Sequence, residues 1–456
     1  MGLIMQPQVS KTAIRSWMLF DWAAQPFFTV VITFIFGPYF VAKLAQDPVH
    51  GQAAWSHAIA IAGFIIAIFS PILGSIADAT GSRKPWIVFF AMIKIMALAS
   101  LWFAAPGYPL FWPMTAVVFA MVAAEFSIVF NDSMMPRLIA KDQIGRISNL
   151  AWGLGYAGGL VVLFSVLLFF AANAETGKTL LGIDHLFSLD PIRGEDARVT
   201  APLAAIWYAI FILPMLLFTP DVSAKSSLAL AIKLGLRETI STIKSLGERK
   251  NLLRFFLARM IYQDGVNGLL ALGGAFAAGM FAWQTMEMGI YGILLLVAAI
   301  FGCLVASKLD QKLGAPFVVS ASLLCLLLAT VGIISTGPGY SLFGLVQVSI
   351  EDTGGLFATA AEKIYIAFGL LIGLTFGPVQ ASSRAFLAQQ VSVDESGRFF
   401  GLYALTGRAT SFLAPMSVMF LTSYYGSTRM GMAALVVFLL VGWFIFLGVK
   451  KSSEVC

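Results

Sequence analysis

Two acid–amide pairs lie in stretches that are otherwise almost free of polar groups. "FDWAAQPFF", residues 20–28, sets Asp21 four residues before Gln25, and "YQDGVNG", residues 262–268, sets Asp264 three residues before Asn267. On a helix either spacing puts acid and amide on one face. A charged side chain at the centre of a membrane helix costs roughly 2.5–3.5 kcal/mol on insertion scales. A group kept at that cost has a partner or a task. Three tasks are open: binding a cationic part of a solute, exchanging a proton, or pairing with Arg384, Arg259 or Arg408 to hold structure or a gate.

The elements that must position these residues follow from composition. The chain has 456 residues, 59% hydrophobic and 11% charged, against ~45–50% and ~25% for soluble domains. Its apolar runs are continuous, not alternating as in barrel strands, so an all-α integral membrane protein is expected. With about 20 residues per crossing, twelve spans are predicted near 17–41, 54–77, 86–105, 110–131, 148–172, 201–219, 253–282, 287–306, 316–336, 358–381, 399–422 and 430–449. The first is too long for a signal-peptide core and is read as a retained span. Polar residues gather in spans 1, 4, 7 and 10: Asp21 and Gln25; Glu125, Asn131 and Asp132; Arg259, Tyr262, Gln263, Asp264 and Asn267; Gln380 and Arg384. Glu125 is expected to pair with Lys94 of span 3.

With the N-terminus inside, 20 of the 29 Lys and Arg, counting Lys450 and Lys451, fall on the inner side. By the positive-inside rule both termini are therefore cytoplasmic. The longest inner segment divides the spans six and six. The expected organisation is a bundle over 1–219, a linker over 220–252 and a second bundle over 253–456. In the linker Ile232, Leu236, Ile240, Ile243 and Leu246 recur at helical spacing with basic residues on other faces, which predicts an amphipathic helix on the membrane surface.

The halves repeat one another. Besides the acid–amide pairs, "GSIADATGSRKP" with Asp78 follows span 2 and "ASKLDQKLGAP" with Asp310 follows span 8. "DQIGR", Asp142 to Arg146, follows span 4, and "DESGR", Asp394 to Arg398, follows span 10. Three pairs in one order indicate a parallel duplication about an axis along the membrane normal.

Gly74-x-x-x-Asp78-x-x-Gly81-x-Arg83-Lys84 resembles the signature loop of the major facilitator superfamily. "LFDWAAQPFFTVVITFIFGPYF", "YQDGVN" and "GRFFGLY" are similar to the vacuole amino-acid effluxer family, also called the unknown major facilitator family. The resemblance implies twelve transmembrane helices in two pseudo-symmetric six-helix bundles, with spans 1, 4, 7 and 10 around a central cavity. Asp78 is then expected at the start of span 11, where a helix N-terminus favours a carboxylate, with Arg83 and Lys84 holding acids such as Asp394. Asp310 is expected at the start of span 5, with Ser148 as a cap. These contacts would latch the inner side.

Other patterns carry less. "GLGYAG", 153–158, has a dinucleotide-like spacing, but it lies inside an apolar run with no strand before it, so helix packing is the expected use. Gly369, Gly373 and Gly377 read as a packing ridge. Cys303, Cys325 and Cys456 make neither a disulfide framework nor a metal set. No P-loop, H-E-x-x-H or G-x-S-x-G is present, so neither an enzyme nor a cofactor is expected. The basic residues sit between spans, so no nucleic-acid partner is expected. The loop 173–200 is expected to be a solvated excursion, with a lid as the rival.

The reading is a secondary active transporter that moves an amino acid or similar small solute, outward by the resemblance, through alternating access. Protons are the candidate coupling ion, membrane lipid the surrounding partner, and a monomer in a bacterial inner membrane the expected state. The alternatives are a proton-coupled importer of a small amphiphilic metabolite and a transport-dead receptor or scaffold.

Overall fold

A computed structural model of the chain describes residues 9–450 other than 46, 172–177, 180, 185, 191–192, 224 and 284. Lys451, Cys456 and parts of the 173–200 loop lie outside the described residues. Fifteen principal helices follow one another among the described residues: α1 Lys11–Pro26, α2 Pro48–Thr80, α3 Lys84–Ser100, α4 Phe111–Ser133, α5 Ile144–Phe169, α6 Thr200–Phe211, α7 Leu213–Phe218 and α8 Leu228–Ser245. After these come α9 Lys250–Phe281, α10 Thr285–Leu313, α11 Ala315–Ser335, α12 Ala360–Gln390, α13 Ser396–Thr406, α14 Leu413–Tyr425 and α15 Thr428–Phe446. A short hairpin pairs Tyr340–Ser341 with Val346–Gln347.

Ten helical stretches among the described residues are long and apolar enough to cross a membrane. The two other expected spans carry reasons for their weaker signal. Helix α9 holds Arg254, Arg259 and Asp264 within its 32 residues. The eleventh span is interrupted by turns between Thr406 and Leu413. The first span runs farther than its apolar core, from Lys11 to Leu44. Pro26 has no N–H to donate, and the helix continues beyond it as π-turns over Phe27–Phe34 and Phe40–Leu44. In the sixth, Pro214 falls at the break between α6 and α7.

The chain gathers into two compact units. One comprises Met1–Ile144, Leu154–Thr239 and Val391–Ala404; the other comprises Gly145–Gly153, Ile240–Gln390 and Leu405–Cys456. In the first, α4 packs on α2 and α3, α6 lies against α3 and α1, and α7 against α1. In the second, α9 runs along α15, α12 lies against α10 and α11, and α11 also touches α15.

Glycines make several of these approaches close. Gly155 faces the Asp21 backbone, Gly158 faces Trp22, and Gly159 faces Gln25 and Thr29. The "GLGYAG" run is thus a packing surface, as expected. Gly369 and Gly373 do the same for α12, against Tyr291 and against Leu295 and Ala298 of α10.

Candidate functional site

Helix α2 starts on Asp47, whose carboxylate accepts the N–H groups of Val49 and His50, with Pro48 in the first helical position. It stops at Gly81, in the left-handed region at φ 87°, whose N–H returns to the Ala77 carbonyl. Glycine reaches that conformation without steric cost. The stop places Asp78 in the last turn, buried. Its two oxygens accept the N–H groups of Gly397 and Arg398, each at 2.8 Å. Those are orphan donors of the first turn of α13, where the helix dipole also favours an anion.

Gly397 is needed there. A β-carbon on it would meet the Gly74 carbonyl and the Asp78 carboxylate, and one on Gly74 would meet the Gly397 carbonyl. Arg83 closes the arrangement from behind. Its guanidinium pairs with Asp78 and donates to the Ala77 carbonyl, to the Gly81 carbonyl at 3.1 Å and to Ser133 Oγ at 2.9 Å. A buried cation is stable when so fully partnered.

The second unit repeats the device with a displacement. Helix α10 ends on Gly314 at φ 89°, whose N–H returns to the Asp310 carbonyl at 2.7 Å. Asp310 is therefore one residue farther from its glycine than Asp78 is, about 100° around the helix. It receives side chains: Ser382 Oγ at 2.6 Å and Asn149 Nδ2 at 3.3 Å. Gly145 lies so near that a β-carbon would collide with the Asp310 carboxylate. The repeated "DQIGR" and "DESGR" thus supply, in each unit, the glycine that lets a carboxylate approach.

Several expected partners are corrected. Arg83 and Lys84 do not hold Asp394. Lys84 Nζ donates to the Leu216 carbonyl at 2.7 Å, and Asp394, mostly exposed, pairs with Lys225 at 2.8 Å. That ammonium holds the Asp394 carboxyl below the usual carboxylate range. Ser148 is not a cap, because α5 already begins at Ile144. Its hydroxyl donates to the Ala381 carbonyl and accepts from Arg384 Nε at 3.0 Å. Arg384 sits inside α12, 2% exposed, with Nη2 on the Ser148 carbonyl and its guanidinium carbon 5.7 Å from the Trp152 ring centre. Lys94 is not within ion-pair distance of Glu125. It is buried against rings, 3.8 Å from the centre of Tyr208 and 5.1 Å from that of Phe27, as a cation–π pair.

Of the other singled-out residues, Asp21, Gln25 and Glu125 are half-buried, and Gln25 reaches Thr29 Oγ1 at 3.4 Å. Asn131 is buried, its carbonyl accepting from Trp17 Nε1 at 2.9 Å. Its side-chain amide has no partner among the described residues. Tyr262 shares a 2.7 Å hydrogen bond with Ser383, Asn267 accepts from Gln263 at 2.9 Å, and Gln380 is buried in α12. Asp142 and Arg146 are exposed. Arg398 pairs with Glu238 at 3.4 Å and Glu395 at 3.3 Å. Arg259 donates to Thr406 Oγ1 at 2.8 Å.

Asp264 is 1% exposed near the middle of α9. Its polar neighbour is the Thr410 hydroxyl, which donates to the Met260 carbonyl at 3.1 Å. Neither carboxylate oxygen therefore has a committed donor among the described residues. Such an orphan needs an explanation, and a ligand or proton is among the few that fit.

One positioning residue escaped sequence reading. Asp221 accepts the N–H groups of Arg83 and Lys84 at 2.8 and 2.7 Å and lies 3.6 Å from Arg137. It fixes the start of α3 and hence the angle from which Arg83 reaches Asp78. The available signal was an isolated acid between span 6 and a basic linker.

Residues 140–454 match the sequence model of the family described as vacuole effluxer Atg22-like. The chain belongs to that family. Among its relatives, the uncharacterized MFS-type transporter YxiO of Bacillus subtilis is 23% identical over 96% of this chain and 95% of its own length. Autophagy-related protein 22 of Cryptococcus neoformans strain JEC21 is 26% identical over 65% of this chain. The chain spans about half the length of such fungal Atg22 relatives, 48% in that case.

The Atg22-like chain also superimposes on solved transporters. The major facilitator transporter FucP in its outward conformation gives a TM-score of 0.70 at 12% identity, over 97% of this chain and 99% of that one. The human organic anion transporter MFSD10 gives 0.67 at 15%, over 97% and 100%. Identities this low establish the fold alone, that of the major facilitator transporters, and the ten spanning helices among the described residues are consistent with its twelve. The protein is a multi-pass membrane protein.

Proposed function

We propose that this Atg22-like protein is a secondary active transporter that exports an amino acid or similar small solute by alternating access. The observation that carries the reading is the duplicated contact of a buried carboxylate with a glycine at a helix start, Asp78 with Gly397 and Asp310 with Gly145. A few hydrogen bonds hold each contact. That is enough to favour one arrangement and little enough for a solute to reverse it. In this reading Gly74, Gly81, Arg83, Lys84 and Asp221 support the first latch, and Asn149, Ser382 and Arg384 the second.

Asp264 is the residue assigned to the solute's amino group or to a coupled proton. Its two uncommitted oxygens favour this over a structural salt bridge. Asp21, Gln25, Glu125, Asn131, Tyr262, Asn267 and Gln380 complete the candidate set. The working organisation is a bundle over 1–219 and a bundle over 253–456, monomeric, with both termini cytoplasmic in a bacterial inner membrane.

The test is transport by protein reconstituted in liposomes, comparing wild type with Asp264→Asn. Loss of pH-gradient-driven accumulation with counterflow exchange retained assigns the proton to Asp264. Loss of both assigns it the solute. Full retention of both removes Asp264 from the site.

A further inference from the structure

Helix α8 presents two faces with different surroundings. Ala231, Gly235 and Thr239 are buried along the end of α2: Gly235 lies against Ile76, and Thr239 Oγ1 is 2.9 Å from Ser75 Oγ. The segment just before the helix follows the same path. Lys225 N–H donates to the Thr80 carbonyl and Ser226 Oγ to the Ala79 carbonyl, both at 2.8 Å. The adjacent side of α8 has no such cover. Ile232, Leu236, Ile240 and Ile243, at positions i, i+4, i+8 and i+11, are 42–59% exposed. Lys233, Arg237 and Lys244 border this stripe and are exposed as well. The helix has a single acid, Glu238, which is engaged by Arg398.

An apolar stripe edged by cations, on a chain already embedded in lipid, matches the boundary between acyl chains and anionic headgroups. We propose that α8 is a binding site for anionic phospholipid. Lys233 and Arg237 hold the phosphate, and the isoleucine–leucine stripe lies among the upper acyl carbons. A soluble protein partner would account for the stripe but not for the uniform sign of its border.

The site has a reach beyond itself. Glu238 holds the Arg398 guanidinium at 3.4 Å, and the Arg398 N–H donates to Asp78 at 2.8 Å. Lipid that fixes α8 therefore also steadies the first turn of α13. This inference rests on the membrane fold and the α8 contacts, not on the proposed transport activity, so its test is one of binding.

The test uses the full chain in nanodiscs of phosphatidylcholine alone or with phosphatidylglycerol, read by hydrogen–deuterium exchange and by native mass spectrometry of retained lipid. The expected result is slower exchange over 228–245 and 393–406 with phosphatidylglycerol, reversed by high salt. Each neutralisation within Lys233→Gln, Arg237→Gln and Lys244→Gln should lower phosphatidylglycerol affinity about fivefold. Glu238→Gln should keep the lipid response at 228–245 and lose it at 393–406. Equal exchange of the wild type in both lipids overturns the site and leaves the stripe to a protein partner. An unchanged lipid response in the triple variant overturns the assignment of the three cations.

Discussion

Replacing Gly397 by alanine tests the packing at Asp78 with one methyl group. The added carbon would lie 2.5 Å from the Gly74 carbonyl oxygen and 2.6 Å from Asp78 Oδ1, against ordinary separations of ~3.5 Å. The clash is with backbone on one side and a doubly bonded carboxylate on the other, so about 1 Å of displacement is needed. Overpacking of this kind costs ~1–3 kcal/mol. Weakening one of the two charge-assisted bonds to Asp78 adds part of the ~1.5–3 kcal/mol such a bond contributes. The contact should lose ~2–4 kcal/mol in all, which raises the open population roughly 30- to 700-fold. Hydrogen exchange over 393–406 reads this directly. Gly63→Ala is the control, since Gly63 lies in α2, the helix that carries Asp78, with nothing within 4 Å of an added carbon, and should be neutral or stabilising by ~0.5–1 kcal/mol. Exchange at 393–406 in Gly397→Ala within threefold of wild type would refute the packing argument.

The second unit should respond in the same way: Gly145→Ala forces Asp310 off Ser382 and Asn149, and exchange at the start of α5 should rise at least tenfold. Lys94 has ring partners and no carboxylate among the described residues, so Lys94→Met should melt no lower than wild type, whereas Tyr208→Ala should cost about 3–5 kcal/mol; a large loss in Lys94→Met would mean the ammonium is structurally required. The Asp394 carboxyl titrates below its ordinary value because of Lys225, so the pair's contribution is present above the ordinary carboxylate pKa of ~3.9 and disappears as pH falls through the lowered value. Lys225→Gln should therefore leave thermal stability unchanged at the lowest pH and lower it slightly near neutrality, and an equal effect at both would contradict the pairing.

Much of the architecture was legible because lipid imposes a simple rule: every crossing must be a long apolar helix. The runs, the repeat and the signature loop all follow from local pattern. The repeat was legible in detail as well, since the glycines of "DQIGR" and "DESGR" each occupy the place where a carboxylate comes close. What pattern could not supply was which distant side chain meets which. Lys225 with Asp394 and Glu238 with Arg398 join segments 169 and 160 residues apart, and nothing in the spacing selects them over Arg83 or Lys84. Lys94 illustrates a different failure. The rule that buried charges find opposite charges left out aromatic faces, and Phe27 and Tyr208 come from two other helices. The π-turns after Pro26 were hidden because apolar composition does not record how a helix is wound.

Counterflow is the measurement nearest the central claim. Liposomes containing the purified protein are loaded with unlabelled amino acids, one at a time, and diluted into the labelled compound. A transporter with alternating access gives a transient overshoot of label for its own solute, above protein-free liposomes and reduced in Gly397→Ala. Absence of an overshoot for every amino acid and related small solute, from protein that is folded and correctly inserted, would contradict the account.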